Sequence, residues 1–375
     1  MQNVDIVIGL NYGDEGKGAT TERLAHERGK GTAVVRFNGG AQAGHTVVLP
    51  DGRRHVFHHF GAGTIDSFPT ILSRFFIVNP IMFWREALDL YGKLSAGLPR
   101  VYVDPNCPVT TPYDVFINQA IERARGKERH GSCGLGIGET IERHERGYSL
   151  TVADLQETEE MIWKLKEIEN NYLPERLEEL SIDPNLTVLA DAQEIFQRDA
   201  TDFIMNVGVK EDTVAMSAFT NIVMEGAQGL RIGQRSEDFP FVTRSSTGLE
   251  NPAMLLEGTE ADINVHYVTR TYLTRHGAGP LPGEVPNPGF KDDTNVPNEF
   301  QETLRYAPLD YERMKRDVMV DEAYFTWFDY KKKAVLTHCD QDTLCGANYS
   351  KIAHRVADAV GTDDITTTFG PARNS

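Results

Sequence analysis

Val4–Leu10 (VDIVIGL) runs straight into Asn11–Gly18 (NYGDEGKG), and the reading of these fifteen residues decides the fold. The first seven form a short apolar run with a late glycine, the pattern of a buried strand in a parallel sheet. A glycine-rich turn follows, and the spacing predicts a helix from Lys17 to about Glu27. Thr32–Phe37 (TAVVRF) reads as the next strand. Strand, glycine loop, helix and strand make one βαβ unit, which places Asn11–Gly18 at a helix N-terminus.

The rest of the chain extends this pattern. Residues from Val152 to about Leu180 carry Glu, Lys, Leu and Ile at helical spacing, as in a pair of amphipathic helices with a solvated charged face. Ala200–Gly229 mixes helix and strand signals and ends in NIVMEGAQG, a strand running into another glycine turn. Gly277–Asn295 is dense in Gly, Pro and Asp and reads as loop. Ala334–Thr337 reads as a late strand, and Asn348–Val360 as the last helix. Glycine turns after strands recur along the whole length. The expectation is therefore an α/β protein related to P-loop folds: one domain over residues 1–375, with a large, doubly wound, mostly parallel central sheet and a helical insertion around 150–200.

Composition narrows the partners. The chain has 375 residues, 40% hydrophobic and 25% charged, an ordinary globular balance with material for a sizeable core. Lys and Arg number 38 against 55 Asp and Glu, a formal charge of −17. That sign repels long nucleic acids and anionic membranes, although a local basic cluster can still hold a small anion. No apolar run reaches the roughly 18–20 residues of a membrane span. Met1–Leu10 lacks the basic head and apolar stretch of a signal peptide, so a cytoplasmic location is expected. Cys107, Cys133, Cys339 and Cys345 show no C-x-x-C spacing, which suits free thiols in a reducing compartment.

Two segments carry chemistry. Gly9–Gly18 (GLNYGDEGKG) is built like a phosphate loop but departs from G-x-x-x-x-G-K-[ST]: Asn11 holds the first glycine position and Gly18 the hydroxyl position. Backbone N–H groups and Lys17 can still cradle phosphates at the positive end of the helix. With no hydroxyl after the lysine, a metal needs another ligand, and Asp14 is the natural one. In Asn38–Thr46 (NGGAQAGHT), three glycines allow close backbone approach, while Gln42 and His45 offer directed hydrogen bonds.

GDEGKG followed by NGGAQAGHT resembles the adenylosuccinate synthetase family, and the resemblance continues in order. Arg129–Gly138 (RHGSCGLGIG), His144–Gly147 (HERG), Glu225–Gly229 (EGAQG), Phe239–Ser246 (FPFVTRSS), Thr274–Glu284 (TRHGAGPLPGE), Leu336–Asp340 (LTHCD) and Thr368–Arg373 (TFGPAR) are similar to its further signatures.

This resemblance implies a ligase that phosphorylates O6 of a 6-oxopurine nucleotide and replaces it with L-aspartate. Asp14 would take the N1 proton, His45 and Lys17 would stabilise the transferring phosphoryl group, and Gln228 would hold the base near O6. Mg²⁺ would sit between Asp14 and the Gly44 carbonyl. Gln42, Ser132, Cys133 and Thr243 would hold the 5′-phosphate, with Arg146 reaching in from the second subunit of a homodimer. The triphosphate would lie against Gly13, Glu15, Gly16, Lys17, Gly18, Gly44 and Thr46, its base read by His338, Asp340, Gly370 and Pro371. Thr303 and Arg305 would take the aspartate.

Departures bear on substrate choice. The arginine-rich aspartate and ribose segment shortens here to Asn298–Asp310 (NEFQETLRYAPLD), with Arg305 its one arginine. His338 stands where the family commonly has lysine, and Phe369 where a small or hydroxylated residue is usual. Shortened chains of this kind resemble the phage branch of the family, the 2-aminoadenylosuccinate synthetases, which join aspartate to dGMP with ATP or dATP as donor. IMP with GTP is the alternative, and Asp340 speaks for it, since a carboxylate suits guanine N1 and N2. A nucleotide switch that binds without ligating is the remote alternative. It would call for a hydroxyl at Gly18, and an inactive scaffold would have lost Asp14 and His45.

Overall fold

The computed structural model describes residues 1–49, 51–94, 97–126, 132–182, 189–290, 303–341 and 348–370. In chain order the elements begin β1 (Gln2–Gly9), α1 (Lys17–Arg28), β2 (Thr32–Arg36), β3 (His45–Val48), β4 (Arg54–Phe57), β5 (Thr70–Leu72), α2 (Pro80–Tyr91), β6 (Val101–Val103), α3 (Pro112–Arg125) and α4 (Ile137–Glu145). A helical run follows: α5 (Val152–Leu155), α6 (Thr158–Glu167), α7 (Leu173–Glu179) and α8 (Leu189–Asn206). The chain continues with β7 (Gly208–Val209), α9 (Asp212–Met216), β8 (Asn221–Gly229), α10 (Glu250–Leu256), β9 (Ala261–Arg270), β10 (Leu273–Arg275) and β11 (Arg305–Ala307). It closes with α11 (Tyr311–Glu322), β12 (Tyr330–Thr337), α12 (Tyr349–Val360) and β13 (Ile365–Thr367).

Among the described residues nine strands form one sheet in the order β13-β12-β9-β1-β8-β2-β5-β6-β7, with neighbours parallel throughout. This is the expected α/β architecture. The first βαβ unit is present, but β8 enters between β1 and β2. β1 earns its central place because Val4, Ile6, Val7 and Ile8 are all fully buried. Strand order reverses around it, with β9 on one side and β8 on the other, and in open α/β sheets ligands settle outside the carboxyl ends of strands at such a point. Two short antiparallel hairpins, β3–β4 and β10–β11, stand outside the main sheet.

β9 does not stand out from sequence because its apolar residues alternate with polar ones (DINVHYVTR). Asn264, His266 and Thr269 are nonetheless buried. His266 Nε2 lies 2.9 Å from Asp5 Oδ1 on β1, and the other Asp5 oxygen pairs with Arg28 Nε at 2.7 Å. Burial alone would raise the Asp5 pKa; His266 and Arg28 overcome it and hold the carboxyl below its usual value.

The two larger apolar cores among the described residues lie against the sheet. One joins β1, β8, β9 and β12 to α11 and α12. The other joins β5 and β6 to α2, α3 and the helices α5, α6, α7 and α8. Met161, Leu165, Ile168, Tyr172, Leu173 and Leu177 face that second core at helical spacing, while Glu159, Glu160 and Lys166 stay at the surface, as the pattern of charges and apolar residues predicted. Among the described residues no helix is long and apolar enough to cross a membrane. Cys107, Cys133 and Cys339 are free thiols; Cys345 lies outside the described residues.

Candidate functional site: a phosphate loop at the head of the sheet

The loop after β1 is held by three strands at once. The Gly13 carbonyl accepts from Thr274 Oγ1 of β10 at 2.8 Å. The Asp14 carbonyl accepts from Arg270 Nε at the end of β9. The Glu15 carbonyl accepts from Thr337 Oγ1 at the end of β12 at 2.9 Å. In a planar trans peptide the next N–H points opposite to the carbonyl. Tying these three carbonyls outward therefore turns the N–H groups of Asp14, Glu15 and Gly16 the other way, forming a concave anion nest at the start of α1. Gly16 caps that helix with φ 90°, a conformation a side chain would strain.

Gly18 explains the departure from the usual phosphate-loop pattern. A Cβ there would sit 2.9 Å from His45 Cβ and 3.1 Å from the Thr46 carbonyl, so no hydroxyl side chain fits. β3 instead presses directly on the helix start. A groove results, lined by Asp14, Glu15, Gly16, Lys17 and Gly18 on one side and by Gly44, His45 and Thr46 on another. Thr337, His338, Thr368 and Gly370 close it.

His45 is the first residue of β3, and its Nδ1 lies 2.5 Å from Glu225 Oε1 on β8. The other Glu225 oxygen accepts from the Ala62 N–H at 3.0 Å and faces Arg36 Nε at 3.9 Å. Burial pushes His45 down to about 4, against the pull of Glu225. Burial would raise Glu225, but His45 and Arg36 outweigh it and hold the carboxyl below its usual range. The pair is thus a neutral imidazole donating through Nδ1 to an ionised carboxylate, which leaves Nε2 as the reactive nitrogen. Burial also depresses the Lys17 ammonium, opposed by Glu15, Asp14 and Glu225. Glu15 is raised to about 7 by burial, opposed by Lys17 and the Asn11 donors.

Asp14 and Gly44 both face the groove. A carboxylate and a carbonyl are hard oxygen donors of the kind Mg²⁺ takes alongside phosphate oxygens and water, so the residues present fit that ion. Among the described residues no group of three or more His, Cys, Asp or Glu side chains is clustered for a metal.

A second set of residues converges beside Asp14. Asn38 Oδ1 accepts from the Ala227 N–H at 2.7 Å, and Asn38 Nδ2 donates back to the Ala227 carbonyl at 3.2 Å. This clamp brings the β2 loop, with Gln42, against the β8 end, with Gln228. Gln228 has φ 64° and its backbone abuts Gly13. Both polar atoms of the Gln42 amide and Oε1 of Gln228 are buried without a hydrogen-bond partner. Gly40, two residues before Gln42, approaches Ile137 at the start of α4, just after Ser132 and Cys133. Ser132 Oγ hydrogen-bonds the Asn118 amide at 2.9 Å, and burial raises the Cys133 thiol to about 11, so it stays protonated. Thr243 lies next to Arg244, whose guanidinium pairs with Glu142 and Glu145 of α4. The structure thus brings Gln42 and Gln228 together through the Asn38–Ala227 clamp, while Ser132 and Cys133 precede α4 and Thr243 precedes the arginine that pairs with α4.

Other expected residues stand elsewhere or are already engaged. Arg146, at the C-terminal end of α4, is within its own chain an ion-pair hub to Glu142 (2.7 Å), Glu179 (2.8 Å) and Glu175 (3.9 Å). Arg305 pairs with Glu284 at 2.5 Å and donates to the carbonyls of Gly277 and Gly279 at 3.0 and 2.9 Å. Thr303 is exposed just before β11. Asp340 Oδ1 accepts the Gly370 N–H at 3.0 Å, which brings the carboxylate to the groove's rim. Phe369 turns away: its ring meets Tyr349 edge-on at 5.0 Å and packs on the core, so Thr368 and Gly370 face the groove instead. Pro371, with residues 129–131 and 298–302, lies outside the described residues.

Sequence reading singled out His45 and Gln228 but not Glu225, Arg36 or His276. A glutamate inside the apolar run NIVMEGAQG was the available signal, because a charge in a buried strand needs a partner.

Fold and groove define a nucleotide-binding α/β protein with a phosphate loop at the head of a parallel sheet. Its sequence matches the adenylosuccinate synthetase family profile over residues 6–317. The chain belongs to the adenylosuccinate synthetase family. It is 32% identical over 287 residues to the adenylosuccinate synthetase of Marinomonas sp. (strain MWYL1), covering 75% of this chain and 64% of that relative. It is also 32% identical over 334 residues to that of Psychrobacter cryohalolentis, covering 84% and 74%. The chain thus spans a little under two thirds of the length of the first relative. Two solved structures share the fold. Fully ligated adenylosuccinate synthetase from Plasmodium falciparum superposes with a TM-score of 0.74 at 17% identity, over 99% of this chain and 98% of that one. The cyanophage S-2L succinoaminodeoxyadenylate synthetase, bound to dGMP and dATP, gives 0.64 at 16% identity, over 100% and 94%.

Proposed function

We propose that this chain is a Mg²⁺-dependent ligase that joins L-aspartate to C6 of a 6-oxopurine nucleotide at the expense of a nucleoside triphosphate. One observation carries the reading. Both polar atoms of the Gln42 amide and Oε1 of Gln228 are buried and unpartnered, with Gln228 against Gly13 of the loop that carries Asp14 and Lys17, and His45 lies across the groove from that loop. Each orphaned polar atom costs about 1–3 kcal/mol unless a ligand or water meets it, and a purine nucleotide supplies acceptors and donors for all three. The chemistry follows from these groups. Asp14 takes the N1 proton, so that O6 becomes nucleophilic and bonds to the γ-phosphorus as the β–γ bridging oxygen leaves. Lys17 meets the charge on the transferring phosphoryl group, His45 joins it as a donor once the incoming phosphates have drawn a proton onto Nε2, and Gln228 steadies O6. Mg²⁺ held by Asp14 and the Gly44 carbonyl would add charge on the phosphates. The aspartate amine then displaces phosphate from C6. Thr303 and Arg305 are assigned to the aspartate, and Gln42, Ser132, Cys133 and Thr243 to the acceptor's 5′-phosphate. Arg146 is assigned to that phosphate from a second copy of the chain.

The acceptor and donor we assign are dGMP with ATP or dATP. In support, Arg305 is the one arginine of its segment, which leaves little to read a ribose 2′-hydroxyl. The family match also ends at residue 317, ahead of the segment where His338 replaces the usual lysine. The second reading, IMP with GTP, is favoured by the Asp340 carboxylate at the groove's rim and by the bacterial relatives. Purified protein with Mg²⁺ and L-aspartate, crossed with dGMP, GMP, dIMP and IMP against ATP, dATP and GTP, separates them by phosphate release and product mass. Aspartate-dependent product from dGMP and ATP is expected. Turnover confined to IMP and GTP replaces the first assignment with the second. Slow hydrolysis indifferent to aspartate refutes the ligase itself.

A further inference from the structure

Asp14 has a close neighbour that no step above uses. Its Oδ2 lies 3.5 Å from His276 Nε2, and the two side chains are 24% and 20% exposed. Several independent contacts hold them together. His276 follows β10, whose Thr274 donates to the Gly13 carbonyl and whose buried Arg275 stacks on Tyr12, 4.5 Å from its ring centre. Arg275 also binds Asp238 Oδ2 at 2.9 Å and the Phe241 carbonyl at 2.9 Å, which fixes it to the segment before Thr243. On the far side of His276, Arg305 donates to the Gly277 carbonyl, and Arg270 donates to the carbonyl of Asp14 itself. The Asp14 backbone is left-handed at φ 57°, an unusual state for a non-glycine residue and one that these contacts maintain. The phosphate groove is lined by Asp14 but not by His276. The imidazole therefore meets the carboxylate from outside that groove.

We propose that His276 is a positioning residue for the proton-abstracting carboxylate: its Nε2–H holds one lone pair of Asp14 Oδ2, leaving the other for the Mg²⁺ that Asp14 would hold, and so presents Oδ1 to N1 of the bound purine. This rests on the reading of Asp14 as the base. The carboxylate's terminal torsion is broad and two-fold, so without an anchor it samples orientations in which neither oxygen points at N1. A donor on one oxygen removes that freedom, and a contact of 3.5 Å in the empty site can tighten once the purine is seated. The proton balance is unchanged. The N1–H bond breaks, an O–H bond forms on Oδ1, and the electron pair passes through the ring to O6, which bonds to phosphorus.

The test uses the full chain, with acceptor varied at saturating Mg²⁺-triphosphate and aspartate. His276→Ala should lower kcat roughly 10- to 100-fold, the scale of a misplaced reacting group, while KM for the acceptor stays unchanged. His276→Gln, whose amide N–H reaches about as far as Nε2–H, should recover most of kcat. Thermal unfolding of both variants separates misfolding from mispositioning. An Ala variant as fast as wild type overturns the proposal, and so does a Gln variant no better than Ala. A change confined to KM also overturns it, by making His276 a substrate contact. Imidazole ¹⁵N spectra of the free chain supply a readout independent of turnover: the His276 ring should be the Nε2–H tautomer, and Asp14→Asn should shift it. If no acceptor yields an aspartate-dependent product, the ligase reading falls. A shift in those spectra would still leave the pairing standing, and unchanged spectra would remove it.

Discussion

Two histidine–carboxylate pairs flank the loop Asn11–Gly18, and they are built on different principles. His45 and Glu225 stand on strands, lie 2.5 Å apart, and are 6% and 0% exposed. His276 and Asp14 stand on loops, lie 3.5 Å apart, and keep a fifth to a quarter of their surface open. In the first pair the fold supplies everything: β8 pairs with both β1 and β2, Ala62 and Arg36 occupy the second Glu225 oxygen, and burial keeps the imidazole neutral. In the second pair the fold supplies the anchor and leaves the last partner to the substrate. The imidazole proposed to meet phosphate has its tautomer fixed in the dry interior. The carboxylate proposed to exchange a proton with a purine keeps a partly open position that a ligand can reach.

The largest effect is expected where the buried pair is broken. Glu225→Gln keeps the shape but removes one of the two carboxylates that offset the buried Arg36 charge and releases His45 from its tautomer. Removing one partner of a buried pair costs about 3–5 kcal/mol, and loss of an oriented electrostatic group costs kcat about 10²-fold. Calorimetric unfolding and single-turnover phosphoryl transfer check the two together. A variant with normal stability and normal rate would place Glu225 outside the machinery.

A smaller effect distinguishes the buried pair by pH. His45 sits at about 4 in the folded chain against 6.5 for an ordinary imidazole. Between those values the unfolded chain binds a proton that the folded chain refuses. The contribution is whole above pH 6.5 and is lost as pH falls through 6.5 toward 4, up to about 3 kcal/mol at 1.36 kcal/mol per unit. Glu15 and Asp321, raised to about 7 chiefly by burial, act with the opposite sign: their contributions are full at low pH and fade as pH rises toward 7. The difference in unfolding free energy between wild type and His45→Asn cancels those terms, because both proteins carry them. That difference should shrink on acidification from pH 6.5 to 4. A pH-independent difference would mean that the imidazole is not held neutral.

What was legible from sequence follows the same division. Asn11–Gly18 and Asn38–Thr46 are local, since their glycines, Lys17, Asp14 and His45 fall within a few residues of strand ends and announce a phosphate site by spacing alone. Glu225 pairs with a residue 180 positions away, and that meeting exists only once β8 enters between β1 and β2. β9 stayed hidden because Asp262, Asn264 and His266 break its apolar run, while Asp5, the partner that satisfies His266, sits on a distant segment. His276 lay inside a quoted motif, but only the β10–β11 hairpin and the ties of Thr274 and Arg275 aim it at Asp14. Arg146 was assigned to phosphate, yet within its own chain it serves three glutamates, so that assignment depends on a second copy of the chain.

The smallest effect probes how the open pair is joined to the nucleophile. Arg305 has two tasks competing for one guanidinium: it holds the loop behind His276 through the Gly277 and Gly279 carbonyls, and it is the cation assigned to the aspartate carboxylate. Glu284, at 2.5 Å, already occupies one edge. Arg305→Lys keeps the charge but loses the planar fork that can serve both. If Arg305 binds aspartate directly, the aspartate KM should rise about tenfold, the ~1.4 kcal/mol of one charge-assisted hydrogen bond, with kcat nearly intact. If its main task is to hold the loop, kcat should fall in step with His276→Ala, and the aspartate KM should stay level. Glu284→Gln decides between them. Relieved of its competitor, an aspartate-binding Arg305 should bind aspartate more tightly, whereas a loop-holding Arg305 should gain nothing.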